Sequence, residues 1–206
     1  MILKTIPVGP LEANCYVVAE KENSPAIIID PGDDPLEIKK ILSEYKLSPA
    51  FIVNTHGHYD HIGADDEFGV PVYIHKDDSG MIENPRLNLS SLFSGPHKVN
   101  ARLKLLEDKD KIISGNIEME VIHTPGHTPG GISLLMYKPV NKVLFSGDTL
   151  FQQGIGRTDL PGSSHRQIVD SIKNKLFRLA DETVVYPGHG PSTTIGQEKQ
   201  NNFLLE

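Results

Sequence analysis

The stretch NTHGHYDHIGA, residues 54–64, places three histidines and an aspartate within six consecutive positions. It follows the apolar run AFIVN, residues 50–54, whose β-branched and aromatic side chains predict a buried strand. A short helix is predicted next, over residues 62–69. The polar cluster therefore occupies a loop between a strand and a helix, a common place for functional side chains. Its ligand-type residues are His56, His58, Asp60 and His61.

Three other apolar runs in the chain end in the same way. Each is followed within a few residues by a glycine-containing loop that carries a histidine or an aspartate, and glycine allows the backbone to turn sharply beside a site. Strand ends that gather at one edge of a sheet bring such loops together. The runs and their ligand-type residues are VI with His127, VLF with Asp148, and VVY with His189.

Imidazoles and carboxylates without a thiolate favour zinc or another first-row metal. Five histidines and two aspartates are too many for one tetrahedral ion. They match two ions about 3.5–4 Å apart that share a bridging carboxylate and a bridging water. The alternative, a set of ordinary polar loop residues, is disfavoured because four strand ends repeat the pattern. Three histidines lie outside the pattern and are interpreted as ordinary histidines: His75, His97 and His165. We interpret His123 as a structural residue at a strand end; the alternative is that it supports a metal ligand.

Composition limits the classes of function. The chain has 206 residues, 38% of them hydrophobic, which is enough for the core of one domain. A formal net charge of −7 argues against general binding to nucleic acid or to an anionic membrane. The single cysteine, Cys15, lies in an apolar run and is expected in the core. Without a signal-peptide pattern or a membrane-length apolar segment, a cytoplasmic protein is expected.

Helices and strands alternate in mixed order along the chain. Helices are predicted over residues 35–46 and 164–179, with Asp34 and Ser164 as N-caps. Strand-like runs separate the helices, which predicts sheets covered by helices in an α/β fold. Residues 77–110 are rich in Asn, Ser and Pro, and we interpret them as a long excursion with a little helix, either a lid or a solvated loop.

Taken together, these motifs resemble the metallo-β-lactamase superfamily and, within it, the glyoxalase II-like hydrolases of the short bacterial subgroup. The resemblance covers nearly the whole chain and implies a single domain, residues 1–206, with the αββα four-layer sandwich of that family: two mixed sheets flanked by helices, with the metal site at one edge. The matching segments are NCY, IDPG, THGHYDH, TPGHTPG, SGDTLF, GRTDLPG and PGHGP.

The resemblance also implies a role for each ligand. Asp148 bridges two divalent ions, expected to be zinc with iron or manganese as alternatives, and Asp60 and Asp148 orient a metal-bridging hydroxide. The remaining ligands divide into one set for the first metal, His56, His58 and His127, and one for the second, Asp60, His61 and His189.

Two departures from longer glyoxalase II enzymes bear on the substrate. Only fifteen residues follow Pro191, so the C-terminal helical segment that helps to bind glutathione is expected to be absent. The loop FQQGIGRTDLPG stands where those enzymes carry a lysine and a tyrosine. The sequence therefore leaves three alternatives for the thiol part of the substrate: glutathione, another small thiol or coenzyme A. Arg157 is a candidate for binding a substrate carboxylate, although an internal pair with Asp159 is slightly favoured.

The expected activity is hydrolysis of a small-molecule thioester of the S-D-lactoylglutathione type. The main alternative is a persulfide dioxygenase, which resembles this family and uses one iron held by two histidines and one aspartate, here His56, His127 and Asp148. Lactonase and other metallo-hydrolase activities are less favoured. The oligomeric state is not indicated by the sequence.

Overall fold

A computed structural model of the protein describes residues 1–93, 95–139 and 142–205. Two six-stranded sheets form its centre. The first sheet follows chain order, with β3 to β6 parallel and β1 to β3 antiparallel. Its strands are β1 (Ile2–Val8), β2 (Ala13–Ala19), β3 (Pro25–Ile29), β4 (Ser48–Val53), β5 (Val72–His75) and β6 (Leu103–Leu106).

The second sheet is formed by the C-terminal half of the chain, in the order β14-β13-β10-β9-β8-β7. Of its strand pairs in the described residues, β10–β13 is parallel and the others are antiparallel. A two-stranded hairpin, β11 (Leu150–Phe151) with β12 (Gly154–Ile155), follows β10. The strands of the second sheet are β7 (Lys111–Ser114), β8 (Ile117–His123), β9 (Ile132–Lys138), β10 (Val143–Gly147), β13 (Val184–Pro187) and β14 (Thr193–Thr194).

Six α-helices connect or cover the strands in the described part of the chain. They are α1 (Pro35–Glu44), α2 (Tyr59–Ile62), α3 (Ser79–Ile82), α4 (Ser90–Phe93), α5 (His165–Asn174) and α6 (Ile195–Asn201). Within the described residues, none of them combines the length and apolarity that a membrane crossing needs.

The order of the helix and sheet layers follows from which faces of the two sheets are apolar. Side chains from both sheets meet in a central core, where the rings of Tyr16 and Phe145 lie 5.0 Å apart. The outer face of the first sheet packs against α1 through Ile38, and the outer face of the second packs against α5 through Ile168 and Ile172. Each sheet is thus covered by a helix on one side and by the other sheet on the opposite side. This is the αββα sandwich of two mixed sheets that the resemblance implied.

One predicted helix cap is wrong. Helix α1 begins at Pro35, but the side chain of Asp34 does not cap it. Instead, Asp34 has a left-handed backbone (φ 48°), and its Oδ2 accepts a hydrogen bond of 2.8 Å from the Gly9 amide. The carboxylate therefore joins the α1 start to the turn after β1. The other predicted cap is confirmed, since Ser164 accepts a bond from the Gln167 amide at the start of α5.

Two predicted helices are shorter than expected. Residues 62–69 contain only the end of α2 and the 3-10 turn Asp65–Phe68, and residues 164–179 form α5 followed by the 3-10 turn Leu176–Arg178. The excursion over residues 77–110 is ordered as α3, α4 and β6 in its described part.

Candidate metal centre

The predicted ligands converge at one edge of the sandwich. His56, His58, Asp60 and His61 lie in the loop and short helix that follow β4. The others follow β8, β10 and β13 in the second sheet and are, in that order, His127, Asp148 and His189.

One triad corresponds to the first metal that the resemblance implied. His56, His58 and His127 each present a ring nitrogen, and these atoms lie within 4.8 Å of one another. The closest pair, His58 Nδ1 and His127 Nε2, is 2.9 Å apart. All three side chains are buried, which limits their motion and keeps the nitrogens directed at one point.

A second triad lies beside it. Asp60, His61 and His189 also present ligand atoms within 4.8 Å of one another. The distance from His189 Nε2 to Asp60 Oδ2 is 3.3 Å, and that from His189 Nε2 to His61 Nε2 is 3.4 Å. This triad corresponds to the second implied metal.

Asp148 lies between the two triads. Its Oδ2 is 3.4 Å from His127 Nε2, and its Oδ1 is 3.5 Å from His61 Nε2. The Oδ2 atom is also 3.7 Å from His189 Nε2, so the carboxylate lies against both triads, as expected of a bridging ligand.

On the side that faces away from the cluster, the rings of His127 and His189 bond to groups that can only accept hydrogen bonds. His127 Nδ1 donates to the Arg157 carbonyl (2.9 Å), and His189 Nδ1 donates to the Leu11 carbonyl (3.0 Å). Since a carbonyl has no proton to give, the proton of each neutral ring lies on Nδ1, and the lone pair lies on Nε2, facing the cluster. Histidine ligands of metals generally use this arrangement.

Asp30 serves the same purpose for the loop after β4. Its Oδ2 accepts from His61 Nδ1 (3.0 Å) and from the Thr55 hydroxyl (2.6 Å). The Thr55 hydroxyl proton is thereby used, so its oxygen accepts from His56 Nδ1, 3.2 Å away. A single buried carboxylate thus fixes the orientation of two rings. Sequence reasoning noted Asp30 only as part of the IDPG segment and gave it no role.

Buried atoms without a partner test whether the cluster suits cations. Among the described residues, His56 Nε2 and Asp148 Oδ1 are both buried and make no hydrogen bond. Buried polar atoms are normally paired, and the exceptions call for an explanation. Both atoms are electron-pair donors that face the cluster, as do the Nε2 atoms described above. The donor set therefore fits a dinuclear metal site.

The pKa values of His56 and His58 in the protein without metal agree with this interpretation for the first triad. Burial lowers the pKa of His58 to about 3, with His127 adding to the effect, and burial places the pKa of His56 well below its usual value. Both rings are therefore neutral at pH 7 and can donate a lone pair. His61 differs: burial lowers its pKa, but Asp148, Asp60 and Asp30 outweigh that and raise it to about 10.

Asp78, in the excursion after β5, was missed by the sequence analysis. It is fully buried, and it joins the two loops that carry the first triad. Its Oδ2 accepts from the Gly57 amide (3.1 Å) and the Thr128 hydroxyl (2.7 Å), and its Oδ1 accepts from the Gly130 amide (2.6 Å). Burial raises the pKa of this carboxyl, and the three hydrogen bonds oppose the rise.

We expect Asp78→Ala to destabilise the protein by about 3 kcal/mol or more. Three buried donors would lose their acceptor, and each costs about 1–3 kcal/mol when left unpaired. A fall of very roughly 6–12 °C in Tm follows for a chain of this size. Calorimetry checks it, with the neighbouring exposed Asp77→Ala as control, for which a change within about 0.5 kcal/mol is expected. Equal shifts for the two variants would show that the three bonds contribute nothing.

The other predicted residues are found in structural positions. Arg157 forms the internal pair that was favoured, with Nε and Nη2 each 2.8 Å from an Asp159 carboxylate oxygen. His123 ends β8 and bonds the Pro129 carbonyl, and its ring stacks on His75 at 4.1 Å. Cys15 is buried in the core as expected.

A cavity of about 560 Å³ opens from the cluster to the solvent. This volume is within the range of small-molecule sites, about 300–1,000 Å³. Its floor is formed by five residues of the cluster, namely His58, Asp60, His127, Asp148 and His189. A substrate in the cavity would therefore contact the cluster directly.

Comparison with known proteins identifies the family. The model of the metallo-beta-lactamase superfamily matches residues 8–189. The chain is 38% identical to the probable metallo-hydrolase YqgX of Bacillus subtilis, over 98% of this chain and 96% of that protein. It is 34% identical to the hydroxyacylglutathione hydrolase GloC of Haemophilus influenzae, over 100% of this chain and 98% of that protein. The chain belongs to the metallo-β-lactamase superfamily.

Solved structures agree with this assignment. The crystal structure of BLEG-1 B3 metallo-beta-lactamase is 43% identical, with a TM-score of 0.92 and 99% of both chains covered. That of TTHA1623 in a di-iron-bound form is 35% identical, with a TM-score of 0.83, covering 98% of this chain and 100% of that one. ETHE1 from Myxococcus xanthus is 27% identical, with a TM-score of 0.78, covering 98% of this chain and 84% of that one. The fold is thereby defined, and membership of a superfamily of metallo-hydrolases supports an enzyme.

Proposed function

We propose that the protein is a dinuclear metal-dependent hydrolase that cleaves a carboxylic thioester. The observation that carries the proposal is the complete donor set of the two triads and Asp148 at the floor of an open cavity. The similarity to GloC, named a hydroxyacylglutathione hydrolase, supports the choice of a thioester.

Each residue of the cluster has a defined part in this proposal. His56, His58 and His127 would hold one ion, Asp60, His61 and His189 the other, and Asp148 both. Two such ions supply a hydroxide at neutral pH and polarise the carbonyl group of the substrate.

In this proposal Asp60 would accept a hydrogen bond from the attacking water and so orient it. Burial raises the pKa of its carboxyl, but the neighbouring His61 and His189 outweigh that and hold the pKa below its usual value. The group is therefore ionised at neutral pH. Departure of the thiolate needs no acid residue, because the pKa of a thiol is only about 8.5.

The second triad favours hydrolysis over persulfide oxidation. A dioxygenase with one iron would use His56, His127 and Asp148 and leave the second triad without a role. Here that triad is close-packed, and His61 is fully buried and oriented by Asp30. The similarity to ETHE1 keeps the dioxygenase as the second candidate.

We expect metal-dependent release of free thiol from thioesters. Protein stripped of metal and then reconstituted with zinc, iron or manganese would be assayed on S-D-lactoylglutathione and on a simple acyl thioester of N-acetylcysteamine, with the stripped protein as control. A kcat/KM of about 10⁴ M⁻¹s⁻¹ or above is expected on either substrate, which is the lower end for ordinary enzymes. Oxygen uptake with a persulfide by the iron form, without thioester turnover, would contradict the proposal and establish the dioxygenase.

A further inference from the structure

One side of the cavity above the cluster is apolar. Side chains from four separate segments form this surface, which we call the apolar wall: Leu11, Leu89, Leu92, Phe93, Phe151 and Leu160. Leu92 and Phe93 are 74% and 61% exposed. Exposed apolar side chains that cluster beside a site generally mark a surface that binds something.

The segment that carries Leu92 and Phe93 is held in place by hydrogen bonds. The Tyr59 amide, at the start of α2, donates to the Asn88 carbonyl (2.9 Å), and Asn88 Oδ1 accepts from the Ser90 amide (3.0 Å). The ring of Phe93 also stacks on that of Tyr59 at 5.4 Å and 15°. Since Asn88 and Ser90 are fully buried, the apolar side chains are presented by an anchored backbone.

The charges around the cavity do not suit an anionic substrate. Among the described residues that line it, Arg157 is the only lysine or arginine. Its guanidinium is already paired through two bonds with Asp159. A glutathione thioester carries two carboxylates, and the lining offers neither of them a free cation.

We propose that the apolar wall binds an uncharged, apolar group of the substrate, so that the enzyme prefers thioesters with an apolar acyl or thiol part over glutathione thioesters. This rests on the proposed function. In the reaction, water adds its oxygen to the carbonyl carbon and the C–S bond breaks. The acid and the thiol are released, and the protons of the water are shared between them. The apolar group stays against the wall throughout.

A substrate series tests the preference and shows which part of the substrate carries it. Acetyl, butanoyl, hexanoyl and octanoyl thioesters of N-acetylcysteamine vary the acyl side, and acetyl thioesters of longer alkane thiols vary the thiol side. On one of the two sides, kcat/KM is expected to rise about two- to fourfold for each methylene until the wall is covered. The succinyl thioester, which differs from the butanoyl one by a carboxylate, is expected to be at least tenfold poorer, because its charge would lose water without gaining a partner.

The outcomes separate this inference from the proposed function. A flat profile along both series, or a higher kcat/KM for S-D-lactoylglutathione than for the hexanoyl thioester, would overturn the inference and leave thioester hydrolysis standing. No metal-dependent turnover of any thioester would overturn both.

A matched pair of variants locates the preference. Leu92→Ser is expected to lower the ratio of hexanoyl to acetyl kcat/KM at least fivefold, or the corresponding ratio on the thiol side. Leu36→Ser, on α1 and equally exposed at 77%, is expected to leave the ratio unchanged. Both side chains are exposed, so neither change should prevent folding. If Leu92→Ser leaves the ratio unchanged and instead converts a dimer to a monomer in light scattering, the wall is a subunit interface and the inference is wrong.

Discussion

Asp148→Asn is expected to remove metal binding and most of the turnover together. The substitution keeps the size of the side chain and removes its charge. A neutral amide offers one weakly donating oxygen in place of the two carboxylate oxygens, which now lie 3.4 Å from His127 Nε2 and 3.5 Å from His61 Nε2. Both triads would lose their shared anion. Metal stabilisation of the transition state contributes several kcal/mol, so a loss of about a thousandfold in kcat/KM is expected.

The measurement is metal content by elemental analysis, followed by thioester turnover on the same samples. Asp170→Asn, at an exposed position of α5, removes an equal charge from a residue outside the cluster and is expected to change neither quantity. A variant with full metal content and normal turnover at position 148 would refute the bridging assignment. Metal retained with turnover lost would assign Asp148 to catalysis alone.

The candidate site was predictable because its residues lie next to the strands that position them. The spacing of His56, His58 and His61 is visible within one loop, and His127, Asp148 and His189 each follow an apolar run within a few residues. Strand ends collect at one edge of a sheet, so local sequence was enough to predict a convergence that spans 134 positions of the chain, from residue 56 to residue 189. The structure brings all of these residues together.

The supporting carboxylates were not predictable in the same way. Asp78 bonds two backbone amides and a hydroxyl from loops about 20 and 50 positions away, and its surroundings show no periodicity. Every residue except proline has a backbone amide, so the sequence does not show which amides a buried carboxylate will bond. Asp34 shows the opposite error, since a favourable local cap was outcompeted by a tertiary bond to the Gly9 amide.

Edge strands were also missed. Strand β1 contains Pro7 and has a half-exposed pattern, and β6 is a four-residue segment, LKLL, whose pattern fits a short helix equally well. Both lie at an edge of the first sheet, where pairing with a single neighbour defines the strand. Such pairing is a property of the fold and not of the local pattern.

Gly188, directly before His189, shows how closely the backbone approaches the cluster. A Cβ at this position would lie 2.1 Å from Asp148 Oδ1 and 3.0 Å from His61 Cε1. The backbone cannot shift to relieve the contact, because the Gly188 amide donates to the Gly147 carbonyl (2.9 Å) and the Gly188 carbonyl accepts from the Asn14 amide (2.7 Å). The added methyl group would therefore displace the Asp148 carboxylate.

We expect Gly188→Ala to lower kcat/KM at least about a hundredfold, since a displacement of about 1 Å at a reacting centre has an effect of that size. Gly190→Ala, on the other side of His189, is the matched control. A Cβ there meets nothing within 4 Å, although its φ of +74° makes alanine strained. That variant should lose about 1 kcal/mol of stability while it keeps its metal and its turnover. Equal turnover in the two variants would show that the carboxylate tolerates displacement, and that the close approach of the β13 loop does not set the geometry of the centre.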